Sequence, residues 1–376
     1  MYSNLWAMSC KKETYKRLGD YIREVDVRNS AMEVNLSQGI CNMKYFQDPR
    51  QVSSTPHLDK IVRTGQFAYN RATTRNGNKI SIAYREGADC TVSSAYCVFY
   101  ITDENVLNPY YLWLWFKRPN FDRYAIFKSH GSAHEFFEFE TLCNTYVPMP
   151  PIEEQEHIVD QYLAIQKRIE NNKKTIAKLE ETAQAIYRKM FVDDIDLENL
   201  PEGWRMGTFS DIAIVTMGQS PSGETLNKKG EGILFYQGCS DFGIRFVIPR
   251  VYTTAPTKYA NPFDILMSVR APVGSLNITK EKCCIGRGLA AIKAKLGEQS
   301  FVLYTLKNQS QAFTIADDDG SVFGSINKDG INNLSIILPP DSLINEFNKQ
   351  VSPMDELIVQ YESEINVLTN MLGILL

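Results

Sequence analysis

Two stretches of this chain, 189 residues apart, carry the same heptad seam, and few folds satisfy that constraint. In the first, apolar residues fall at Ile158, Tyr162, Ile165, Ile169, Ile176, Leu179, Ala183 and Ile186, in steps of four and three, with Asn172 as the one polar member. In the second, every equivalent position is apolar or aromatic: Phe347, Val351, Met354, Ile358, Tyr361, Ile365, Leu368, Leu372 and Leu375. Steps alternating four and three mark a helix that buries a narrow stripe against another helix. Each seam follows a Pro-Pro pair, Pro150-Pro151 and Pro339-Pro340, and further upstream Gly131-Ser132 recurs as Gly320-Ser321, all at the same offset. A period of this length is a domain with its helix, not a solenoid repeat.

Weaker echoes lie upstream, where the offset drifts. Tyr111 to Lys117 parallels Phe301 to Lys307 at 190, Leu18-Gly19-Asp20-Tyr21 parallels Phe209-Ser210-Asp211-Ile212 at 191, and Phe67 to Arg71 parallels Leu266 to Arg270 at 199. The reading is four segments: residues 1–150 a first mixed α/β domain, 151–200 a central helix, 201–338 a second mixed domain, and 339–376 a C-terminal helix. The predicted fold class is α+β, with two such domains separated by two long antiparallel coiled-coil helices and an internal pseudo-two-fold repeat. At ~1.5 Å per residue the first helix spans roughly 50 Å.

Local signals fill in the domains. Asn108 is placed to cap a helix with Pro109 at its first position, and one helix per domain is expected. Short β-like runs occur at Lys79–Tyr84, Cys97–Ile101, Arg245–Ile248 and Leu289–Ile292, separated by turns such as Asn76-Gly77-Asn78 and Lys229-Gly230-Glu231-Gly232. The helices are expected from about Ile152 to Phe191 and from about Ser342 onward, the second broken or kinked at Ser352-Pro353. Asn172 is expected to fix register at some cost in stability, or to lie at a partly exposed seam edge.

Charge divides along the same lines. Residues 1–150 hold 18 basic and 15 acidic side chains and residues 203–338 hold 14 and 11, whereas 151–202 hold 7 and 12 and 339–376 hold 1 and 6. A formal charge of −4 therefore hides two mildly basic domains and two acidic helices. A polyanion would be repelled by the helices and tolerated by the domains. No apolar run approaches the ~18 residues that span a bilayer. The first residues lack a leader's apolar core, and the eight cysteines include no C-x-x-C pair, so a cytoplasmic chain with reduced thiols is expected.

Catalytic chemistry is not written in the sequence. There is no phosphate-binding G-x-x-x-x-G-K-[ST], and Gly286-Arg287-Gly288 is a lone G-x-G. Asn108-Pro109-Tyr110-Tyr111 lacks the second proline of an amino-methyltransferase motif. Of the histidines, His57, His130, His134 and His157, only His130 and His134 are four apart, and Gly131 and Ser132 between them argue against a rigid helix; Asp317-Asp318-Asp319 lacks the downstream ligands of a calcium loop. No catalytic and no metal-binding residue is assigned.

With the duplication in hand, the motifs resemble the DNA-specificity subunit of type I restriction–modification systems. Pro150-Pro151-Ile152-Glu153-Glu154-Gln155 is similar to that family's entry into its central helix; Pro339-Pro340-Asp341-Ser342-Leu343-Ile344 is a version without the Glu-Gln pair. Leu200-Pro201-Glu202-Gly203-Trp204, Met217-Gly218-Gln219-Ser220-Pro221-Ser222 and Ser94-Ala95-Tyr96 resemble further family segments. The resemblance implies two target-recognition domains, each reading half of a bipartite double-stranded DNA target, on helices that set the gap. It implies two adenine methyltransferase subunits as partners and leaves open a restriction or translocase subunit. S-adenosylmethionine, ATP and Mg would sit on those partners, with no cofactor and no catalysis in this chain. The competing reading is a duplicated coiled-coil scaffold that binds protein and no DNA.

On this reading, basic and amide residues in turns are the candidates for DNA contact, since phosphate contacts position and base-edge contacts specify. They are Arg71, Arg75, Asn76, Lys79, Lys128 and Ser132 in the first domain. In the second they are Lys228, Gln237, Arg270, Arg287, Ser325, Asn327 and Lys328. Arg71 and Arg270 carry most weight because they coincide in the repeat. Seam residues Ile165, Ile169, Ile176, Leu179, Ile358, Ile365 and Leu368 are the candidates for partner binding.

Overall fold

Asn108 caps helix α1 (Pro109–Phe116) through its side-chain oxygen, which accepts from the backbone N–H of Tyr110 at 2.9 Å and of Tyr111 at 3.1 Å. The computed structural model describes residues 15–49, 51, 54–73, 79–129, 135–295, 299–309 and 324–376. They fall into two units, Met1–Arg168 with Val367–Leu376, and Ile169–Asn366.

In the first unit, β1 (Tyr15–Arg17) pairs with β10 (Tyr146–Pro148), so the strand that enters the globule lies beside the one that leaves it for the long helix. Between them a four-stranded antiparallel sheet runs in the order β2 (Ile22–Val25), β9 (Tyr96–Ile101), β6 (Phe67–Asn70), β7 (Ile82–Tyr84). Two ribbons, β3 (Gly39–Ile40) with β4 (Phe46–Gln47) and β5 (Lys60–Val62) with β8 (Cys90–Val92), complete the strands. Helices α2 (Pro119–Lys128) and α3 (Phe139–Cys143) join α1, three where one was expected. The core stacks Phe67 on Phe99 at 5.0 Å between ring centroids and gathers Phe116, Phe121 and Phe137 around them. Val159 and Tyr162 of the long helix α4 (Ile152–Phe191) are buried in the same cluster, with Leu372 packed against it.

The second unit repeats this plan. Strands β11 (Arg205–Thr208) and β21 (Ser335–Leu338) pair at its neck, and α5 (Phe209–Ile212) follows where the first unit has a short turn of helix over Leu18–Asp20. Its four-stranded sheet has the order β12 (Ala213–Met217), β20 (Leu289–Ala294), β17 (Ile265–Ser268), β18 (Leu276–Ile278), the same sequence of roles as in the first unit. The second sheet is larger, five strands in the order β13 (Leu226–Asn227), β15 (Val251–Thr253), β14 (Ile233–Tyr236), β19 (Cys283–Ile285), β16 (Tyr259–Ala260). Helices α6 (Gln299–Asn308) and α7 (Lys328–Asn332) precede the long helix α8 (Asp341–Leu375).

Within this unit the two long helices pair antiparallel. Tyr187 and Phe191, late in α4, meet Phe347, early in α8, at 5.8 and 5.5 Å between rings. Ile176, earlier in α4, clusters with Ile358 and Ile365, later in α8. Asn172 is 2% exposed, so it lies inside the seam and not at its edge, and its side-chain nitrogen has no partner.

Further expectations change. Helix α8 runs through Pro353 without a break, so of the two expected forms the break does not occur. A proline there costs ~3 kcal/mol, but Phe347 and Val351 before it and Ile358 after it are all fully buried, and a break would expose one group or the other. Arg245–Ile248 forms isolated bridges, Phe246 with Ile278 and Val247 with Phe242, and no full strand, because the backbone N–H groups of Arg245 and Phe246 donate to the Glu362 carboxylate, each at 3.3 Å. Ile176, Ile358 and Ile365 are 1%, 0% and 6% exposed. They close the chain's own seam, with Ile169 and Leu179 packed against them, so they offer no outward face to a partner. Ile165 and Leu368 are half-buried.

Candidate nucleic-acid interface

In the second unit, four predicted residues come into one row. Gly286 N–H donates to the Tyr236 carbonyl at 2.8 Å, which sets Gln237 beside Arg287. Val269 N–H donates to the Gly288 carbonyl at 3.0 Å, which sets Arg270 next in line. Ala271 N–H donates to the Gly324 carbonyl and Ile326 N–H to the Val269 carbonyl, so Arg270 bridges Ser325. Gln237, Arg287, Arg270 and Ser325 are therefore carried on successive neighbouring segments, and all four are exposed. Asn327 follows as the cap of α7, accepting from Gly330 N–H at 2.8 Å, with exposed Lys328 as the first helical residue. Among the described residues no carboxylate lies within ion-pair distance of Arg270, Arg287 or Lys328. Lys228 is exposed in a separate turn held by Asn227.

The Gly286-Arg287-Gly288 turn has a steric explanation. A Cβ on Gly286 would stand 2.6 Å from Gln237 Oε1, and one on Gly288 would stand 2.5 Å from the Gln237 carbonyl oxygen. At Gly288 the obstacle is backbone, so only glycine lets the turn press against the Gln237 segment, whereas at Gly286 it is the movable Gln237 amide. Sequence reasoning missed Ser220, whose hydroxyl donates to Gln237 Oε1 at 3.0 Å and accepts from Arg287 N–H at 3.2 Å. Its place in a Gly-x-Ser-Pro turn was the available signal.

The first unit is less complete. Arg75, Asn76 and Ser132 lie outside the described residues. Arg71 does not coincide with Arg270. Phe67 pairs with Phe99 and Tyr84 as Ile265 pairs with Ile292 and Ile278, and Ala72 bridges Phe136 as Arg270 bridges Ser325. Arg71 is thus the counterpart of buried Val269, one residue off, and a one-residue slip along a strand turns the side chain to the other face. It is engaged in place, with Nε donating to the Ala95 carbonyl at 3.3 Å and a guanidinium nitrogen 3.6 Å from Glu138. Lys79 is exposed, with its ammonium 3.9 Å from Met43 Sδ, and half-buried Lys128 ends α2 beside the exposed Phe127 ring.

Each globule is locked to the long helices by polar groups of its own. In the first unit Gln155, fully buried, accepts from Asn108 N–H at 2.9 Å and donates to the carbonyls of Val106 and Pro150 at 2.9 and 2.8 Å. The glutamine of the Glu-Glu-Gln motif thus ties the start of α4 to the α1 cap. Its counterpart in the second unit, Ile344, is apolar and packs in the core. There the tie is Arg245, 5% exposed, which reaches Glu180 on α4 and Asp355 on α8. The described cysteines are unpaired, and burial pushes the Cys90 and Cys283 thiols up to about 11. No group of three or more potential metal ligands occurs among the described residues, and none of their helices is long and apolar enough to cross a membrane.

The chain matches the model of the type I restriction modification DNA specificity domain over residues 62–181 and 201–366. It is 32% identical over 273 residues to a putative type I restriction enzyme MjaX specificity subunit of Methanocaldococcus jannaschii, a match covering 68% of this chain and 63% of that protein. The MjaIX specificity subunit of the same organism is 24% identical over 286 residues, 69% and 65% of the two chains. The matched region thus spans just under two thirds of either relative. The crystal structure of a type I restriction–modification S subunit from M. genitalium, 15% identical, shares the fold at a TM-score of 0.57 over 96% of this chain and 95% of the other. With two copies of one domain plan, each feeding a long helix, and a family match over both, the chain belongs to the type I restriction–modification DNA-specificity family.

Proposed function

We propose that this chain is the non-catalytic reader of a bipartite double-stranded DNA target and positions adenine methyltransferase subunits on it. The observation that carries this reading is the repeated sheet plan with unlike loops: one scaffold presents two different surfaces, as reading two different half-sites requires. The row from Gln237 to Ser325 supplies amide, guanidinium and hydroxyl groups suited to base edges and phosphates. Linking two weak readers raises affinity through effective concentration. S-adenosylmethionine would bind the methyltransferase partners, as ATP and Mg would bind any restriction or translocase subunit. The assembly would act on DNA in the cytoplasm.

The test is exchange of residues 1–150 for the corresponding domain of another family member, followed by mapping of methylated adenines in cells carrying the cognate methyltransferase. One half of the recognised sequence should change and the other should persist. A change in both halves, or methylation by the isolated chain, would overturn the proposal.

A further inference from the structure

The two units build one stretch of surface from equivalent backbone and fill it with unlike side chains. In the second unit Ala271 N–H donates to the Gly324 carbonyl and Ile326 N–H to the Val269 carbonyl, around the Arg270–Ser325 bridge. In the first, Thr73 N–H donates to the Glu135 carbonyl at 3.0 Å and Phe137 N–H to the Arg71 carbonyl at 2.9 Å, around the Ala72–Phe136 bridge. Ala72 therefore stands where Arg270 stands, and Phe136 where Ser325 stands. The neighbouring strand agrees. Tyr96 pairs with Asn70 as Leu289 pairs with Ser268, and the N–H groups of Tyr96 and Leu289 close turns on the Ser93 and Gly286 carbonyls, so Ser94 is the counterpart of Arg287. Past the bridge, Glu138 and Phe139 are the cap and first residue of α3, as Asn327 and Lys328 are of α7. The cations Arg270, Arg287 and Lys328 are thus replaced in the first unit by a methyl, a hydroxyl and a ring. Phe136 is 39% exposed, and the Phe137 ring beside it packs on Phe121 and Tyr124 of α2, at 6.1 and 6.4 Å between centroids, which fixes the backbone that presents it.

We infer that the two domains read bases of different class: Arg270 and Arg287 take guanine in one half-site, while Phe136 with the Ala72 methyl takes thymine in the other. The inference rests on the DNA-reading role proposed above and names the chemistry of each half-site. Guanine offers two acceptors, O6 and N7, side by side in the major groove, and a guanidinium fork matches them. Thymine alone carries a methyl there, and a partly exposed ring beside a side-chain methyl gains by covering an apolar group. A guanine edge would find no cation at Ser94, Ala72, Phe136 or Phe139. Arg71, one residue from Ala72, is already engaged by Glu138 and the Ala95 carbonyl.

Changes of one group in the DNA test this with the protein unaltered. Once the bipartite target is mapped and its halves are assigned by exchange of residues 1–150, the full chain with its cognate methyltransferase is titrated against duplexes carrying one altered base. Deoxyuridine in place of thymine removes only the methyl, and should weaken binding about 4-fold at a position in the first domain's half-site, the loss expected for one buried methyl. 7-Deazaguanine removes only the N7 acceptor, and should weaken binding about 10-fold in the second domain's half-site, the loss of one hydrogen bond to a charged group. Phe136→Ala should abolish the deoxyuridine effect and leave the 7-deazaguanine effect, and Arg270→Ala should do the reverse at one guanine. A first half-site that lacks thymine or tolerates deoxyuridine throughout would overturn the inference. So would a second half-site that lacks guanine or tolerates 7-deazaguanine throughout, or a sensitivity that survives the matching substitution. In each of those cases the reader role would stand. A complex that binds no duplex in preference to any other would overturn that role itself.

Discussion

Arg245 and Glu180 meet at 2.7 Å between a guanidinium nitrogen and a carboxylate oxygen, in a site where the arginine is 5% exposed. Burial alone would push the guanidinium down, but Tyr304, Asp355 and Glu180 outweigh it and hold it above its usual range. Arg245 stands on a loop of the second globule, Glu180 on α4 and Asp355 on α8, so one side chain ties three elements. Arg245→Met should destabilise the second unit by about 3–5 kcal/mol, because it removes the ion-pair partner of Asp355 and leaves Glu180 with Lys307 alone. Adding Glu180→Gln and Asp355→Asn should recover part of that loss, measured by urea unfolding. Burial pushes the Glu180 carboxyl up, but Lys307 and Arg245 outweigh it and leave it below its ordinary value. Its contribution is therefore present above pH 4.5 and lost as pH falls through the lowered value.

Gln155→Leu should cost about 2–4 kcal/mol in the first unit. It removes three hydrogen bonds and leaves Asn108 N–H and two carbonyls without their partner. Tryptophan fluorescence during urea unfolding reads this, since Trp113 and Trp115 lie on α1.

Asn172→Leu should stabilise the second unit by about 1–2 kcal/mol, because a buried amide nitrogen without a partner is replaced by apolar surface in an apolar seam. A fall in melting temperature would show that the amide contributes through packing that leucine cannot reproduce.

Lys117 stands 3.6 Å from the Trp113 ring centroid, with its ammonium donating to the Tyr162 hydroxyl at 3.0 Å. Burial lowers its pKa from 10.5 to about 8. Between those values the unfolded chain binds the extra proton, so stability from this group should rise as pH goes from about 8 to about 10.5, by up to roughly 3 kcal/mol. Lys117→Met should flatten that part of the pH profile of the unfolding midpoint.

Arg270→Ala and Arg287→Ala should each weaken DNA binding by about 1–3 kcal/mol if the arginine contacts a base edge, with relaxed preference at one half-site only. Binding to duplexes altered in either half-site, at fixed salt, separates this from loss of a phosphate contact, which would weaken all sequences alike.

Periodicity and spacing made the repeat legible. The heptad steps, the Pro-Pro pairs and the Asn108-Pro109 cap are local patterns, each decided by residues within a few turns of one another. The seven seam residues were legible as helix faces of an antiparallel pair, but how completely each would be buried in it was not. Ile176 meets Ile358 and Ile365 as the expected antiparallel pairing requires, and what the pattern did not give is that this pairing buries those side chains away from a partner.

The sequence by itself determined that one domain plan occurs twice and that each copy feeds a long amphipathic helix, because periodic burial is written residue by residue. Tertiary structure alone decided that Arg71 and Arg270 are one register apart, that Arg245 leaves a β-like run to pair with two helices, and that Gln237, Arg287, Arg270 and Ser325 form a row. Each of these depends on hydrogen bonds and ion pairs between segments distant in the chain, whose partners are chosen by packing and carry no local signature.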